Sequence, residues 1–412
     1  MAIKKICLVT SGQPSTNPRV VQSADALCEA GYRVHVIASY WAAWAEAADK
    51  TLMANRKWTF EYAGGTPGTA KIRYYRTRLR YKAARVLAFW LPGVAALEDA
   101  AIGRATADLE RAAVRNPADL YIAHYLPGLV AASKAAARHG ARFGFDAEDF
   151  HSGQLSADPG SPEARWAAGV EKRYIPGCDF VTASSPEIAG TYRDLCGLAA
   201  VPAVLLNVFP LALGPQEPPL PAGRGPLTLF WFSQTIGEGR GLEDVIRAMA
   251  RLGGAAELHI AGRFFPGYRE RLSALVESEG VDPSCVVPHG IVPPEDLARF
   301  SAGWDVGLAA ETSNDRNRQL VLSNKLFTYL LAGNAVAATS TSAQAAIAAT
   351  LGEAVWLYAP GDPSGLAEGL RRWMSDPEAL ARSRRAARAA AEKIYNWDRE
   401  KEKLLALVKG LG

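Results

Sequence analysis

At 412 residues the chain is longer than one ordinary hydrophobic core accommodates, so two domains are expected. Its 49% apolar and 21% charged residues describe a globular protein and exclude a disordered or fibrous one. A net charge of +4 is too mild for this length to point to nucleic acid, and no apolar run is long enough for a membrane-spanning helix.

The opening MAIKKICLVTSGQP carries too short an apolar run for a signal peptide. Cys7, Cys28, Cys178, Cys196 and Cys285 are odd in number, scattered and without a CxxC pair. They read as reduced thiols of a cytoplasmic protein, and neither a zinc site nor a catalytic cysteine is expected.

Ile6-Cys7-Leu8-Val9 is a buried-strand run closed by Ser11-Gly12-Gln13-Pro14. Asn17 then stands as N-cap, Pro18 as first helical residue and Gly31 as helix stop, and Tyr32 to Ala38 is the next strand. Strand, helix, strand in this order is a βαβ unit, which implies a parallel sheet covered on both faces. The loop around Gly12 lies at the carboxyl end of that sheet, where such folds bind ligands. With one glycine it is not a dinucleotide fingerprint.

Residues 40 to 118 are less regular. Lys71 to Pro92, KIRYYRTRLRYKAARVLAFWLP, carries seven basic residues and no acid, interleaved with aromatics. Two readings stand open: a strand and helix with a solvated basic face, or a surface for anionic lipid headgroups or a phosphate-bearing acceptor. The α/β rhythm then resumes. Asp119 to Tyr125 is a strand ending on His124, and Pro127 onward is a helix. Ala141 to Gly153 is a strand ending in Asp146, Glu148, Asp149 and His151. Cys178 to Ser185 and Val201 to Phe209 complete a layer of six or seven strands.

Residues 210 to 226, PLALGPQEPPLPAGRGP, cannot continue a helix or a central strand and read as a linker. The expected organisation is 1–209, the linker 210–226, a second α/β domain over 227–392, and a helical segment over 393–412. The second series runs LTLFWFS, helix from Gly241, AELHIAG, helix from Tyr268, CVVPHG, helix from Pro294, WDVGLAAE, helix from Asn324, NAVAATS, AVWLY, and helices from Pro363 and Pro377. The last is interrupted near Tyr395-Asn396-Trp397.

Within this second half, LSNKLFTYLLAG (Leu322 to Gly333) places Ser323 as N-cap and Gly333 as stop of a helix between two strands. A helix N-terminus beside strand ends seats anions, because its free N–H groups and dipole favour negative charge. Arg240, in the Gly-flanked turn of IGEGRGLEDVIRAM, is a second such candidate, and Arg263 after LHIAG a third. On the residues alone each is equally an ordinary βα turn.

Taken together, these stretches resemble a glycosyltransferase of the GT-B fold, close to the retaining family 4. IGEGRGLEDVIRAMARL is similar to the family's donor-site turn, and ELHIAGR, VVPHGIVPPEDLARFSAGWDVGLAA and SNKLFTYLLAGNAVAAT follow in the family's order. SGQPSTNPRV resembles its first-strand loop, and FDAEDFH the acidic segment near the acceptor. The resemblance implies two Rossmann-like α/β domains facing across a cleft, with a C-terminal helix crossing back to the first. It implies catalytic roles for His124, Arg240 and Lys325, and donor contacts from Gly12, Ser233, Gly239, Arg263, Glu311, Ser323, Asn324 and Thr328. Asp146, Glu148, Asp149 and His151 would face the acceptor. The donor would be a nucleotide-diphosphate sugar, with no metal, no cofactor and retention of configuration. The family's two Glu, eight positions apart, are Leu320 and Thr328 here, so neither carboxylate is present. Thr328 can still hydrogen-bond a ribose hydroxyl, more weakly than a carboxylate, which leaves room for an altered donor. A non-catalytic subunit that binds a sugar nucleotide or a partner enzyme, and a sugar-nucleotide epimerase, are the competing readings. Sugar, base and acceptor stay open, and the acceptor is a glycan, a lipid-linked molecule or a small molecule. Lys71 to Arg85 marks a candidate contact with the inner face of the membrane.

Overall fold

The computed structural model describes residues 3–154, 156, 158–217, 225–312 and 315–412. The chain forms two compact units: one runs to Leu205 and takes in Lys401–Gly412, the other is Leu206–Glu400. Residues 218–224 of the expected linker lie outside the described residues.

The first unit contains β1 (Lys5–Thr10), α1 (Pro18–Glu29), β2 (Arg33–Ser39), α2 (Ala43–Met53), β3 (Thr59–Ala63), α3 (Lys71–Trp90), α4 (Ala95–Ala101), α5 (Thr106–Arg115), β4 (Leu120–His124), α6 (Tyr125–His139), β5 (Arg142–Ala147), α7 (His151–Gln154), α8 (Pro162–Tyr174), β6 (Phe180–Ala183), α9 (Pro186–Cys196) and β7 (Ala203–Val204). Its seven strands are parallel, in the order β3-β2-β1-β4-β5-β6-β7. Unbroken burial along Ile6–Val9 and Leu120–Ala123 reflects helices on both faces, as a parallel sheet requires. The Asn17 side chain caps α1 by accepting from the Val20 N–H, with Pro18 in its first turn. Register places Thr10 beside His124, His124 beside Asp146, and Asp146 beside Thr182. Neighbouring in-register residues of a parallel sheet share a face, so these four side chains form one row at its carboxyl edge.

Three expectations need correction here. The irregular stretch contains β3, an edge strand whose half-buried TFEYA lacks a clear alternation. Lys71–Trp90 is a single helix, not a strand and a helix. The strand expected over 201–209 pairs only at Ala203–Val204, because the Leu206 N–H is taken at 2.8 Å by the Glu400 carboxylate instead of a ladder partner.

The second unit contains β8 (Leu227–Ile236), α10 (Leu242–Ala250), β9 (Ala256–Phe264), α11 (Tyr268–Ser278), β10 (Val286–His289), α12 (Leu297–Ser301), β11 (Val306–Ala309), α13 (Arg316–Leu320), α14 (Asn324–Ala332), β12 (Ala335–Thr339), α15 (Ser342–Leu351), β13 (Val355–Tyr358), α16 (Pro363–Ser375) and α17 (Pro377–Lys393). A last helix, α18 (Trp397–Gly410), follows the break at Tyr395-Asn396. Six parallel strands run β10-β9-β8-β11-β12-β13. The helix expected from Pro294 starts only at Leu297 and is short. A register shift between Ser233 and Thr235 bends the end of β8, and Gly262 opposite it has φ 142°, with the Ser233 carbonyl where a side chain would stand. Gly307 likewise leaves room for the Tyr329 ring, which seats α14 on β11.

Candidate functional site

In the second unit the turn after β8 carries Gly239 at φ 68° and Gly241 at φ 81°, both in the left-handed region that glycine occupies without strain. A Cβ on Gly241 would lie 2.7 Å from Ala310 Cβ, so the turn rests directly on the end of β11. Between these glycines Arg240 is half-buried, and its Nη1 donates to Ser233 Oγ at 3.3 Å. No ion pair to a carboxylate is seen for it among the described residues. Burial, then Arg318, draws its pKa below the usual arginine range.

The Gly239 carbonyl accepts from Thr312 Oγ1 at 2.9 Å and from Arg318 Nη1 at 3.0 Å. Arg318 also holds Asp315 at 3.0 Å and stands 3.7 Å from Glu311. Lys325 is not an isolated cation: its Nζ donates to Glu311 Oε1 at 2.7 Å, with both side chains buried. Burial pushes the Glu311 carboxyl up, but Lys325 and Arg318 outweigh it and hold the carboxyl below the ordinary range. Three cations thus meet two carboxylates, Glu311 and Asp315, and the positive excess falls on Arg240. Ser323 caps α14, accepting from the Lys325 N–H at 3.4 Å, and Asn324 opens its first turn.

Not every predicted residue joins this group. Arg263 is exposed at the end of β9, in register with Thr235. Thr328 is buried, and its hydroxyl donates back to the Asn324 carbonyl at 2.9 Å. Glu311, expected as a donor contact, is already engaged by Lys325. Arg318 was not anticipated: it comes from a five-residue helix whose sequence has no distinguishing pattern.

In the first unit the row at the carboxyl edge is tightly paired. Asp146 receives Arg19 Nε at 2.5 Å and Nη2 at 2.7 Å, and Thr182 Oγ1 at 2.6 Å. Burial would raise its carboxyl, but Arg19 overrides that and holds it far below the usual range. Asp146 is therefore not a group facing solvent or an acceptor. Its Oδ2 also lies 3.2 Å from Nδ1 of His124, a buried side chain neither of whose ring nitrogens has a hydrogen-bond partner among the described residues. The next residue, Tyr125, has φ 60°, the single positive φ outside glycine among the described residues. Such strain persists where the surroundings impose it.

Asn17 Nδ2 donates to the Tyr125 hydroxyl at 3.2 Å and to Glu148 Oε2 at 3.1 Å. Gly12 packs against the same tyrosine, since a Cβ there would stand 3.4 Å from its ring. Glu148 is half-buried, and burial together with the neighbouring Asp149 raises its carboxyl to about 7. Asp149 accepts from Gln154 Nε2 at 3.1 Å. His151 is buried between Tyr125 and Phe145, where burial lowers its pKa and its Nε2 is unpartnered. Gly12, Asn17, Tyr125 and Glu148 thus gather beside the His124–Asp146–Arg19 chain. Arg19 and Tyr125 lay within the segments singled out in the sequence, but no pattern distinguished them.

Comparison with known proteins follows the same division of the chain. A family model described as "Glycosyl transferase 4-like domain" matches residues 16–211, and one described as "Glycosyl transferases group 1" matches residues 227–376. HepE from Anabaena, solved with UDP, is similar over 99% of this chain and 100% of its own, with a TM-score of 0.71 and 16% identity. Sucrose-phosphate synthase from Thermosynechococcus elongatus covers 99% of each chain with a TM-score of 0.71 and 17% identity. A glycosyltransferase from Rickettsia africae covers 100% of this chain and 99% of its own, with a TM-score of 0.69 and 12% identity. At such identities the likeness establishes the fold. No curated protein matches the sequence.

Proposed function

The chain belongs to the GT-B glycosyltransferases, and from that premise we propose that its second unit holds a nucleotide-diphosphate sugar by the diphosphate and that the sugar passes with retention to an acceptor hydroxyl. The observation that carries this reading is Arg240: a half-buried guanidinium, fixed between two left-handed glycines, with no carboxylate paired to it among the described residues. A half-buried cation without a paired carboxylate is only partly compensated, and a bound phosphate would supply the missing charge through a bidentate contact.

Glycosyl transfer needs negative charge on the departing diphosphate stabilised while the sugar becomes oxocarbenium-like. Arg240, the Arg318 guanidinium at Gly239 and the first-turn N–H groups of α14 are fixed donors suited to that task. Lys325 and Glu311 then serve as a buried pair that fixes α14 against the loop after β11. In the first unit the His124 ring lies against Asp146, and it is proposed to serve transfer by hydrogen bonding a substrate hydroxyl. The cations, rather than a metal, are proposed to neutralise the leaving group. HepE, solved with UDP and with UDP-glucose, makes uracil the first base to test.

The test is a thermal-shift screen with UDP, GDP, TDP, ADP and CMP on the wild type and Arg240→Ala. A ligand at a hundred times its dissociation constant stabilises by about 2.7 kcal/mol. One diphosphate is expected to shift the wild type and not the variant. An equal shift in both removes Arg240 from the site. Release of sugar from the bound donor then separates transfer from binding alone.

A further inference from the structure

We propose that α3 is a docking helix for an anionic bilayer, lying on the membrane surface, and that it presents the acceptor edge of the first unit to a lipid-linked acceptor. The docking stands on the helix itself, whereas the acceptor class rests on the transfer reading above.

The helix is built inside out. Its packed face carries small residues, Thr77, Ala84 and Ala88, the alanines set against α4 and Trp166. The opposite face carries the large ones. Ile72, Tyr75, Leu79, Val86 and Trp90 recur at helical spacing as one continuous stripe, with Ile72 82%, Leu79 72% and Trp90 73% exposed. Exposed apolar surface of this size, continuous along a helix of about 30 Å, calls for a partner.

Charge identifies the partner. No acid occurs between Glu61 and Glu98. Of the seven cations, Arg73 and Arg80 pair with Asp108, and Arg85 with Glu163. Lys71, Arg76, Arg78 and Lys82 show no carboxylate partner among the described residues, and they flank the apolar stripe. Apolar side chains edged by cations without a carboxylate partner match the acyl boundary and the anionic headgroups of a bilayer surface. A second copy of the chain would set this acid-free face against its own kind, with like charges opposed. No helix among the described residues is long and apolar enough to cross a membrane, so the helix lies on the surface and does not span it.

The helix is also tied to the site. The Tyr74 ring meets Tyr40 edge-on at 5.6 Å, and Trp41 beside it is 74% exposed. The N–H groups of Trp41 and Ala42 both donate to Gln13 Oε1, at 2.8 and 2.7 Å, directly after Gly12. Docking of α3 and Trp41 therefore places the Gly12–Asn17 loop close to the headgroups.

The experiment is flotation of the full chain with phosphatidylcholine vesicles with and without phosphatidylglycerol, for the wild type, Leu79→Gln/Trp90→Gln and Arg76→Gln/Arg78→Gln/Lys82→Gln. The wild type is expected to float with the anionic vesicles, less so at high salt. Each cation near such a surface contributes roughly fivefold in partition, so the triple variant should fall on the order of a hundredfold. The apolar variant should also be lost from the vesicles. Both should keep the wild-type melting temperature and UDP shift, since these side chains are exposed and distant from Arg240 in the chain. Flotation unaffected by either variant, or no flotation of wild type, overturns the proposal. So does a dimer in light scattering that Leu79→Gln/Trp90→Gln dissociates, which would assign the face to a second copy. A failure of the UDP shift alone would count against the donor reading and leave docking standing.

Discussion

Glu148 is where a single side chain makes the protein pH-sensitive. Its ordinary carboxyl value of 4.5 rises to about 7 in the folded chain, through burial and then Asp149. Between these values the folded state keeps the proton and the unfolded state has lost it, so stability falls as pH rises through that window and levels above it. A shift of this size corresponds to at most about 3 kcal/mol. Glu148→Gln cannot ionise, keeps an acceptor for Asn17, and should equal the wild type near pH 4.5 and exceed it at pH 8. Denaturant unfolding at several pH values checks this, and parallel curves for the two proteins would refute it. His124 is expected to act in a different way. Buried beside Asp146 with neither ring nitrogen hydrogen-bonded among the described residues, it should matter to transfer and not to nucleotide binding. His124→Ala is expected to lower kcat by ten- to a hundredfold, about 1.4 to 2.7 kcal/mol of transition-state stabilisation, while the UDP shift stays. Loss of the shift with kcat unchanged would contradict this role.

Among the elements, α17 is held to the sheet by one buried ion pair. Arg384 Nη1 lies 3.2 Å from Asp305 Oδ1, and its Nε donates to the Gly333 carbonyl at 3.1 Å, so it links the start of β11 to the end of α14. Asp305 also receives Thr228 Oγ1 at 2.7 Å. Arg384→Ala takes the counterion from a buried carboxylate that Thr228 still holds, and should cost about 3 kcal/mol, read as a lowered denaturant midpoint. Arg384→Ala/Asp305→Asn should recover part of that loss, and no recovery would mean the arginine acts through packing alone. Most elements were legible because strong local signals coincide with their ends: Asn17 and Pro18 at α1, Ser323 and Gly333 at α14, Pro377 at α17. The exceptions lack such signals. β3 is a half-exposed edge strand, and β7 is cut short by the carboxylate of a residue far along the chain. The site divides in the same way. Arg240 announces itself through its flanking glycines, but the pairing of Lys325 with Glu311, of Asp146 with Arg19, and the arrival of Arg318 at Gly239 depend on side chains that only the folded chain brings together.

For the molecule as a whole, the two units have separate sheets, and Ser233, Gly239, Arg240, Arg318 and Ser323 to Lys325 all lie in the second. Binding free energy appears first where the contacts are made, so UDP should act on the stability of this unit most. At a hundredfold excess over its dissociation constant it should contribute about 2.7 kcal/mol, which for a unit of this size is a rise of roughly 5 to 10 °C in its unfolding transition. Hydrogen exchange locates the effect more sharply than melting does. The amides of the Gly239–Gly241 turn and of the first turn of α14 should slow most, because the first must stay left-handed and the second must point its free N–H groups at the phosphates. Arg240→Ala should abolish the slowing at both places together, since the guanidinium supplies the charge that holds the ligand to both. If UDP slows exchange at α14 alone and Arg240→Ala leaves it unchanged, the helix terminus binds without the turn, and the anion site is smaller than proposed. If slowing is confined to the first unit, the nucleotide is held by the other sheet and the assignment of donor and acceptor sides must be reversed.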